Sequence, residues 1–346
     1  MKLKSLATSA VALSVVAFAV SGCGGSEADA EGGEVLSMAG GAPSFNYTVP
    51  QLVDSLDLGS NHGVELEYSQ IQSSGPLLVA SLMSGEVDMA QIGLSTVLDA
   101  RAQGQDLKVI ACTNAIVGYV NLRKDVLDSL NLPKDADIET KTQALKGLNI
   151  VTTPPGSTYH AALVALATDA GLDPERDLTI SAATDPTAVV AGVKQGKFDG
   201  SFWGTASLEG NVVTGEAEVL IDIPRGDLRP AFGEALDVAG VFAASAEFIE
   251  SHADEVAAAT VALGEAAELA RGGDSEARDA LRADWFPDMD QELFDSLWSS
   301  ADGIYPEEAK CSQSAIEAQI EFADVVSEND LSKITYEELV LPSSRP

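Results

Sequence analysis

The chain has 346 residues, with 54 Asp and Glu against 20 Lys and Arg, for a formal net charge of −34. Such an acidic chain repels phosphate, which excludes nucleic-acid binding. The acid is spread along the whole sequence, so it reads as a solvated surface of the kind that adaptation to salt produces.

The first 22 residues read as a leader. Lys2 and Lys4 form a basic start, and residues 6–20 are a mostly apolar run of signal-peptide length. That run is short for a membrane span. It ends in Val20-Ser21-Gly22-Cys23, which resembles a bacterial lipobox and implies cleavage before Cys23 and a lipid on its thiol. The alternative is an ordinary signal peptide with an incidental cysteine. Residues 23–33 lack apolar periodicity and read as a flexible tether. The protein is therefore expected to be exported and held by acyl chains at the outer face of the cell membrane, or at the periplasmic side in a two-membrane cell. The remaining chain, from residue 34 onward, is long enough for two domains. In an oxidising location Cys112 and Cys311 either pair or stay as two buried thiols.

Residues 35–38 read as a strand running into Ala39-Gly40-Gly41-Ala42-Pro43, where glycines let a ligand approach backbone N–H groups. A helix over 49–58 and an alternating strand over 64–71 come next. Residues 73–93 then combine a Ser73-Ser74 cap, Pro76, a short helix, Gly85, Asp88 and an apolar strand. Ser95 is expected to cap the next helix, and residues 107–112 form another strand. Alternating strands and helices favour a mostly parallel sheet. A first crossing between lobes is placed at 113–120, followed by a strand over 119–123 and an irregular stretch over 130–140. Residues 148–153 form a strand ahead of Gly156-Ser157-Thr158 and a clear helix to Asp169. Residues 184–204 repeat the earlier unit with Thr184, Pro186, Gly196, Asp199 and a strand ending in Trp203. Two such units suggest two similar lobes around one cleft. Strands over 218–223, read as returning toward the first lobe, and over 238–243 make the second crossing. From Ser245 onward the chain is nearly all helix.

Catalytic candidates are thin. His62, His160 and His252 form no metal pattern, and no nucleophile elbow, P-loop or dinucleotide fingerprint occurs. No enzyme, metal or cofactor is expected. Asp88 and Asp199 occupy matched turn-to-strand positions and read as structural acceptors of turn N–H groups. Binding is better supported. Helix starts at Ser73-Ser74, Gly156-Ser157-Thr158 and Thr184-Asp185 offer N–H donors and partial positive charge. In open α/β sheets such loops collect where ligands bind. Aromatic residues are 5% of the chain, so Phe45, Tyr47, Tyr159, Phe202 and Trp203 at element ends suggest an apolar pocket wall. The candidate ligand contacts are Gly41, Ala42, Phe45, Ser73, Ser74, Gly93, Ser95, Ile116, Gly156, Ser157, Thr158, Tyr159, Thr184 and Trp203.

Several segments together resemble the substrate-binding proteins of ABC importers in the nitrate/sulfonate/taurine group, also called NMT1-like. They are the lipobox, Leu82-Met83-Ser84-Gly85-Glu86-Val87-Asp88-Met89, Leu145-Lys146-Gly147-Leu148-Asn149-Ile150, Gly156-Ser157-Thr158-Tyr159-His160 with Gly171-Leu172, and Val193-Lys194-Gln195-Gly196-Lys197-Phe198-Asp199-Gly200 with Trp203. The resemblance implies a type II periplasmic-binding fold with two α/β lobes, two hinge segments and a helical C-terminal block on the first lobe. The expected division is 34–117 plus 224–346 for lobe I and 118–223 for lobe II. It also implies a monomer that captures a small anionic or heteroaromatic ligand and partners a permease and an ATPase. A sensory lipoprotein, or an exported enzyme on the same fold, is the alternative.

Overall fold

The computed structural model describes residues 35–71, 75–299 and 303–346. The lipobox with Cys23, and the pair Ser73 and Ser74, lie outside these residues.

Ten strands form two sheets. The first holds β1 (Val35–Gly40), β2 (Glu65–Gln70), β3 (Met89–Gly93), β4 (Leu107–Asn114) and β10 (Gly240–Ser245), in the order β2-β1-β3-β10-β4. The second holds β5 (Tyr119–Arg123), β6 (Asn149–Thr152), β7 (Thr179–Ala182), β8 (Gly200–Trp203) and β9 (Ala217–Asp222), in the order β7-β6-β8-β5-β9. Central strands such as β3 are buried along nearly their whole length. That explains their continuous apolar sequence: helices cover both faces of a parallel sheet.

The two sheets exchange strands. β5 follows β4 in the chain yet lies between β8 and β9, antiparallel to both. β10 follows β9 yet lies between β3 and β4, again antiparallel to both. The chain therefore crosses between sheets twice, over 115–118 and 223–239. This gives the two-lobe, two-hinge α/β architecture expected from the resemblance. Residues 218–223 do not return to the first lobe, however. Residues 218–222 belong to β9, which pairs with β5 through Tyr119↔Asp222 and Val120↔Ile221 and buries Leu220 and Ile221 in the second lobe's core. The stretch over 130–140 is also less irregular than expected. A helix over Lys124–Leu130 ends in it and another over Ile138–Gln143 starts there, capped by Asp137, which accepts from Thr140 N–H at 2.8 Å.

The two repeated units match in detail. Helix α2 (Gly75–Ser84), preceding Gly85 and β3, corresponds to α5 (Pro186–Lys194), preceding Gly196 and β8. Gly85 and Gly196 both have φ of +71°, which strains any residue with a Cβ. Asp88 accepts from Ser37 N–H at 2.8 Å and from the Ser37 hydroxyl at 2.7 Å. Asp199 accepts from Asn149 N–H at 2.9 Å. Each aspartate thus ties the turn before its strand to the strand two strands earlier, β1 or β6, instead of bonding within its own turn. Asp88→Ala is expected to cost about 1–3 kcal/mol in urea unfolding, because it orphans a part-buried N–H, with Asp88→Asn costing less. Equal stability of all three proteins would refute this structural role.

Helices α1 (Thr48–Ser55), α6 (Ala253–Arg271), α7 (Ser275–Trp285) and α8 (Gln291–Ser299) pack on the first sheet. Trp298 is buried there, and Trp285 lies edge-on to Tyr68 with its indole N–H donating to Ser55 Oγ at 2.9 Å. Cys311 is disulfide-bonded to Cys112 on β4, 199 positions away. The following helix, α9 (Gln313–Val326), buries Ala315, Ile316 and Ile320 in the first lobe. Its Phe322 joins the core around the second sheet, edge-on to Phe232 of the second crossing at 5.3 Å between ring centroids.

Candidate ligand-binding cleft

The cleft forms where the strand ends of the two sheets face each other, and Asn46 is its hub. A 3-10 turn over Phe45–Tyr47, capped by Ser44, carries it. Its Oδ1 accepts from Asn114 Nδ2 at 3.1 Å and from Val117 N–H at 3.3 Å. Its Nδ2 donates to Tyr159 Oη at 2.8 Å, and Tyr159 Oη donates to Val117 O at 2.6 Å. Asn46 and Asn114 come from the first lobe, Val117 from the hinge and Tyr159 from the second. Helix α4 (Thr158–Asp169) places Tyr159 in its first turn, after a Ser157 cap that accepts from His160 N–H. The Tyr159 ring packs edge-on to Phe202 at 5.3 Å. Burial raises the pKa of the Tyr159 phenol well above the usual tyrosine range, and that of Tyr47 likewise, so both stay neutral.

Beneath this hub, Gln91 of β3 donates through Nε2 to Asn46 O and to Asn114 Oδ1, the latter at 2.9 Å. Asn114 Oδ1 also accepts from Thr113 Oγ1 at 2.9 Å. Both partners of Nε2 are acceptors, which sets the amide's orientation. Gln91 Oε1 is then left with no partner among the described residues, although Gln91 is only 2% exposed. An unpaired buried acceptor costs about 1–3 kcal/mol.

Two cavities flank the hub and share Asn46 and Tyr47. The inner one, about 100 Å³, is lined by Gln91, Gly93, Asn114, Ile116 and Thr158 among others. The outer one, about 370 Å³, lies between the loops over 41–47, 184–187 and 203–206, with Tyr47, Tyr159 and Trp203 as its aromatic surface. The only charged residue lining either cavity is Asp185, among the described residues. Its carboxylate caps α5, accepting from Thr187 N–H at 2.8 Å. On the far side of the hub the lobes touch directly. Ser95 Oγ lies 3.1 Å from Thr158 Oγ1, and Thr96 Oγ1 donates to Gly156 O at 3.2 Å. Beyond that contact lies a separate cavity of about 860 Å³, lined by Ser95, Asp99, Gly156 and His160 among others. Burial lowers the His160 pKa below the ordinary histidine value.

A model of the NMT1-like family matches residues 54–283. The chain belongs to the NMT1-like family. A comparison with curated protein sequences gives no match. Solved structures share the fold. The periplasmic aliphatic sulphonate binding protein SsuA from Escherichia coli superposes with a TM-score of 0.67, at 16% identity, over 89% of this chain and 93% of that one. The ligand binding component of an ABC-type import system from Staphylococcus aureus gives 0.69, at 13% identity, over 90% and 97%. The periplasmic nitrate-binding protein NrtA from Synechocystis gives 0.57, at 16% identity, over 80% and 72%.

In this NMT1-like chain the candidate contacts divide by place. Gly41, Ala42, Tyr159, Thr184 and Trp203 line the outer cavity, and Gly93, Ile116 and Thr158 the inner one. Ser95 and Gly156 face the third cavity. Phe45 lines none of these. It is 1% exposed and packs against Phe286 and Phe294 at 5.3 and 5.5 Å, so it belongs to the first lobe's core. The reason is the three-residue period of a 3-10 turn, which points successive side chains about 120° apart: with Asn46 and Tyr47 toward the cleft, Phe45 faces inward. Ser95 does not cap α3 (Leu94–Ala102); Gly93 holds the cap position, and Ser95 meets Thr158 across the lobes. Ser157 spends its hydroxyl on its own helix start and on Pro154 O at 2.6 Å. The helix starts at Ser157 and Asp185 therefore offer fewer free donors than expected. Beside Gly41 the space is taken by Tyr47, since a Cβ there would stand 2.6 Å from the Tyr47 hydroxyl. Asn46, Gln91 and Asn114 escaped sequence reasoning. The one signal was Gln91 itself, a lone amide inside the apolar run of β3.

Proposed function

We propose that this protein is an extracytoplasmic solute receptor, anchored to the membrane by a lipid on Cys23, which closes its two lobes on a small ligand and delivers it to an ABC permease and ATPase. The observation that carries this is the hub: Asn46, Asn114, the hinge residue Val117 and Tyr159 join both lobes beside an aromatic-lined cavity. Contacts that bridge lobes around a ligand-sized space suit hinge closure. Sulfonate and nitrate binders on the same fold, and the import system of the Staphylococcus protein, support the assignment to import. The lobes proposed are 34–117 plus 224–346 and 118–223, and the receptor acts as a monomer. No covalent chemistry is proposed, because Ser157 is spent as a helix cap and His160 lies in a different cavity. Among the described residues no helix is long and apolar enough to cross a membrane.

A thermal-shift panel of sulfonates, carboxylates and pyrimidines tests ligand capture. A ligand at a hundred times its Kd is expected to stabilise the protein by about 2.7 kcal/mol. Asn46→Ala is expected to abolish most of that shift while the unliganded protein still melts cooperatively. A panel with no responding member would count against the receptor. Fatty-acid labelling of wild type and Cys23→Ser tests the anchor, with label and membrane association expected only in wild type.

A further inference from the structure

The C-terminal helix α9 spans parts that the hinge separates. It packs against α3 of the first lobe and α4 of the second. Both of its ends are fastened to the first lobe. Cys311, just before it, is disulfide-bonded to Cys112 on β4. Just after it, Ser327 Oγ donates to Asp99 Oδ1 of α3 at 2.5 Å, and Asn329 Nδ2 donates to the same oxygen at 3.1 Å. Between these ties Ala315, Ile316, Ile320 and Ala323 fill the first lobe's core. Ala318 and Phe322 instead join the core around the second sheet. The side-chain hydrogen bonds of α9 run to Glu317, Ser312 and Leu331, and none reaches the second lobe among the described residues. Its hold on that lobe is therefore apolar.

Gln319 lies between the two apolar faces of α9. At about 100° per residue, it stands about 60° from Phe322 on one side and about 40–60° from Ala323 and Ile316 on the other. Its side chain thus points into the seam between the lobes. It is 0% exposed, and neither Nε2 nor Oε1 has a partner among the described residues. An amide buried with both groups unbonded opposes the contact that buries it, and water satisfies it once the seam opens.

We propose that α9 is a latch, carried by the first lobe, that holds the second lobe closed through Ala318 and Phe322, and that Gln319 keeps this latch releasable. Apolar burial favours the closed lobes, and the unbonded amide offsets part of that gain, so neither state is locked. This rests on the hinge closure proposed above and not on which ligand is captured.

A lobe-to-lobe distance tests this without a ligand. Ser84 and Gln195 are exposed at the matching ends of α2 and α5, one on each lobe. Nitroxides on Ser84→Cys and Gln195→Cys, in the mature chain with Cys23→Ser and the disulfide intact, report the open and closed populations by pulsed electron resonance. Phe322→Ala is expected to raise the open-to-closed ratio at least fivefold. Gln319→Met keeps the side chain's length and removes both polar groups. It is expected to lower the ratio at least fivefold, in wild type or in the Phe322→Ala background. A distribution that Gln319→Met leaves unchanged in both backgrounds, or moves toward open, overturns the proposal. That holds even if the variant melts at a higher temperature, since a mere core defect moves stability and not the distance. Phe322→Leu repeats the second arm if Phe322→Ala does not fold, and Gln319→Met in wild type stands without either. Lobes that move independently of both residues overturn the latch and leave the receptor standing. One fixed distance in every protein, with and without a ligand that responds in the thermal-shift panel, overturns hinge closure together with the latch.

Discussion

Phe45→Ala is expected to lower the unfolding free energy by about 3–5 kcal/mol, the usual cost of truncating a fully buried phenylalanine. Phe45 forms a ring cluster with Phe286 and Phe294, which themselves lie 5.7 Å apart, so the substitution opens a cavity shared by three elements. Its carbonyl accepts from Thr48 Oγ1 at 3.2 Å and from the Tyr305 hydroxyl at 3.1 Å, so the backbone of the turn stays tied. Denaturant unfolding followed by tryptophan fluorescence measures the loss, since Trp298 sits in the same core. If unfolding were unchanged and ligand binding vanished, Phe45 would be a pocket wall after all.

Loss of the Cys112–Cys311 bond is expected to cost about 2–5 kcal/mol, at the upper end of the usual range because the loop it closes is so long. The two cysteines are 199 positions apart. The bond also anchors the start of α9, the helix whose Phe322 joins the core around the second sheet. Wild type is expected to melt at a lower temperature with reductant than without it. Cys112→Ala with Cys311→Ala is expected to melt low in both conditions. Two titratable thiols in the untreated, denatured wild-type protein would refute the bond.

The two stabilising features differ in how they show in the sequence. Cys112 and Cys311 were legible as a possible pair because only two thiols remain after Cys23 in an oxidising location, but both outcomes fit the pattern. The tertiary fold decides by bringing the two Cα atoms to 5.1 Å. Phe45 was legible only as an aromatic residue near a glycine-rich loop. Which of Phe45, Asn46 and Tyr47 faces the core depends on how a three-residue turn is rotated, and no periodicity reports that. Similarly, the order of strands and the two crossings between lobes were readable along the chain, while the antiparallel insertion of β5 and β10 into their sheets was not. Antiparallel and parallel pairing bury the same apolar residues, so the pattern is nearly blind to the partner.

The sequence alone determined the repeated unit of helix, glycine, aspartate and strand. That unit demands a positive φ at Gly85 and Gly196, a local requirement of local chemistry, whereas the partners of Asp88 and Asp199 on β1 and β6 come only with the fold. The sequence also determined the acidic character of the whole chain. The tertiary structure alone decided that Ser95 and Thr96 face Thr158 and Gly156 across the lobes, and that Tyr159 bonds to Asn46. Among the described residues, it alone left Gln91 Oε1 without a donor. A hydrogen bond between residues 113 positions apart, such as Asn46 with Tyr159, leaves no trace in spacing, because it exists only once two separate sheets have folded and met.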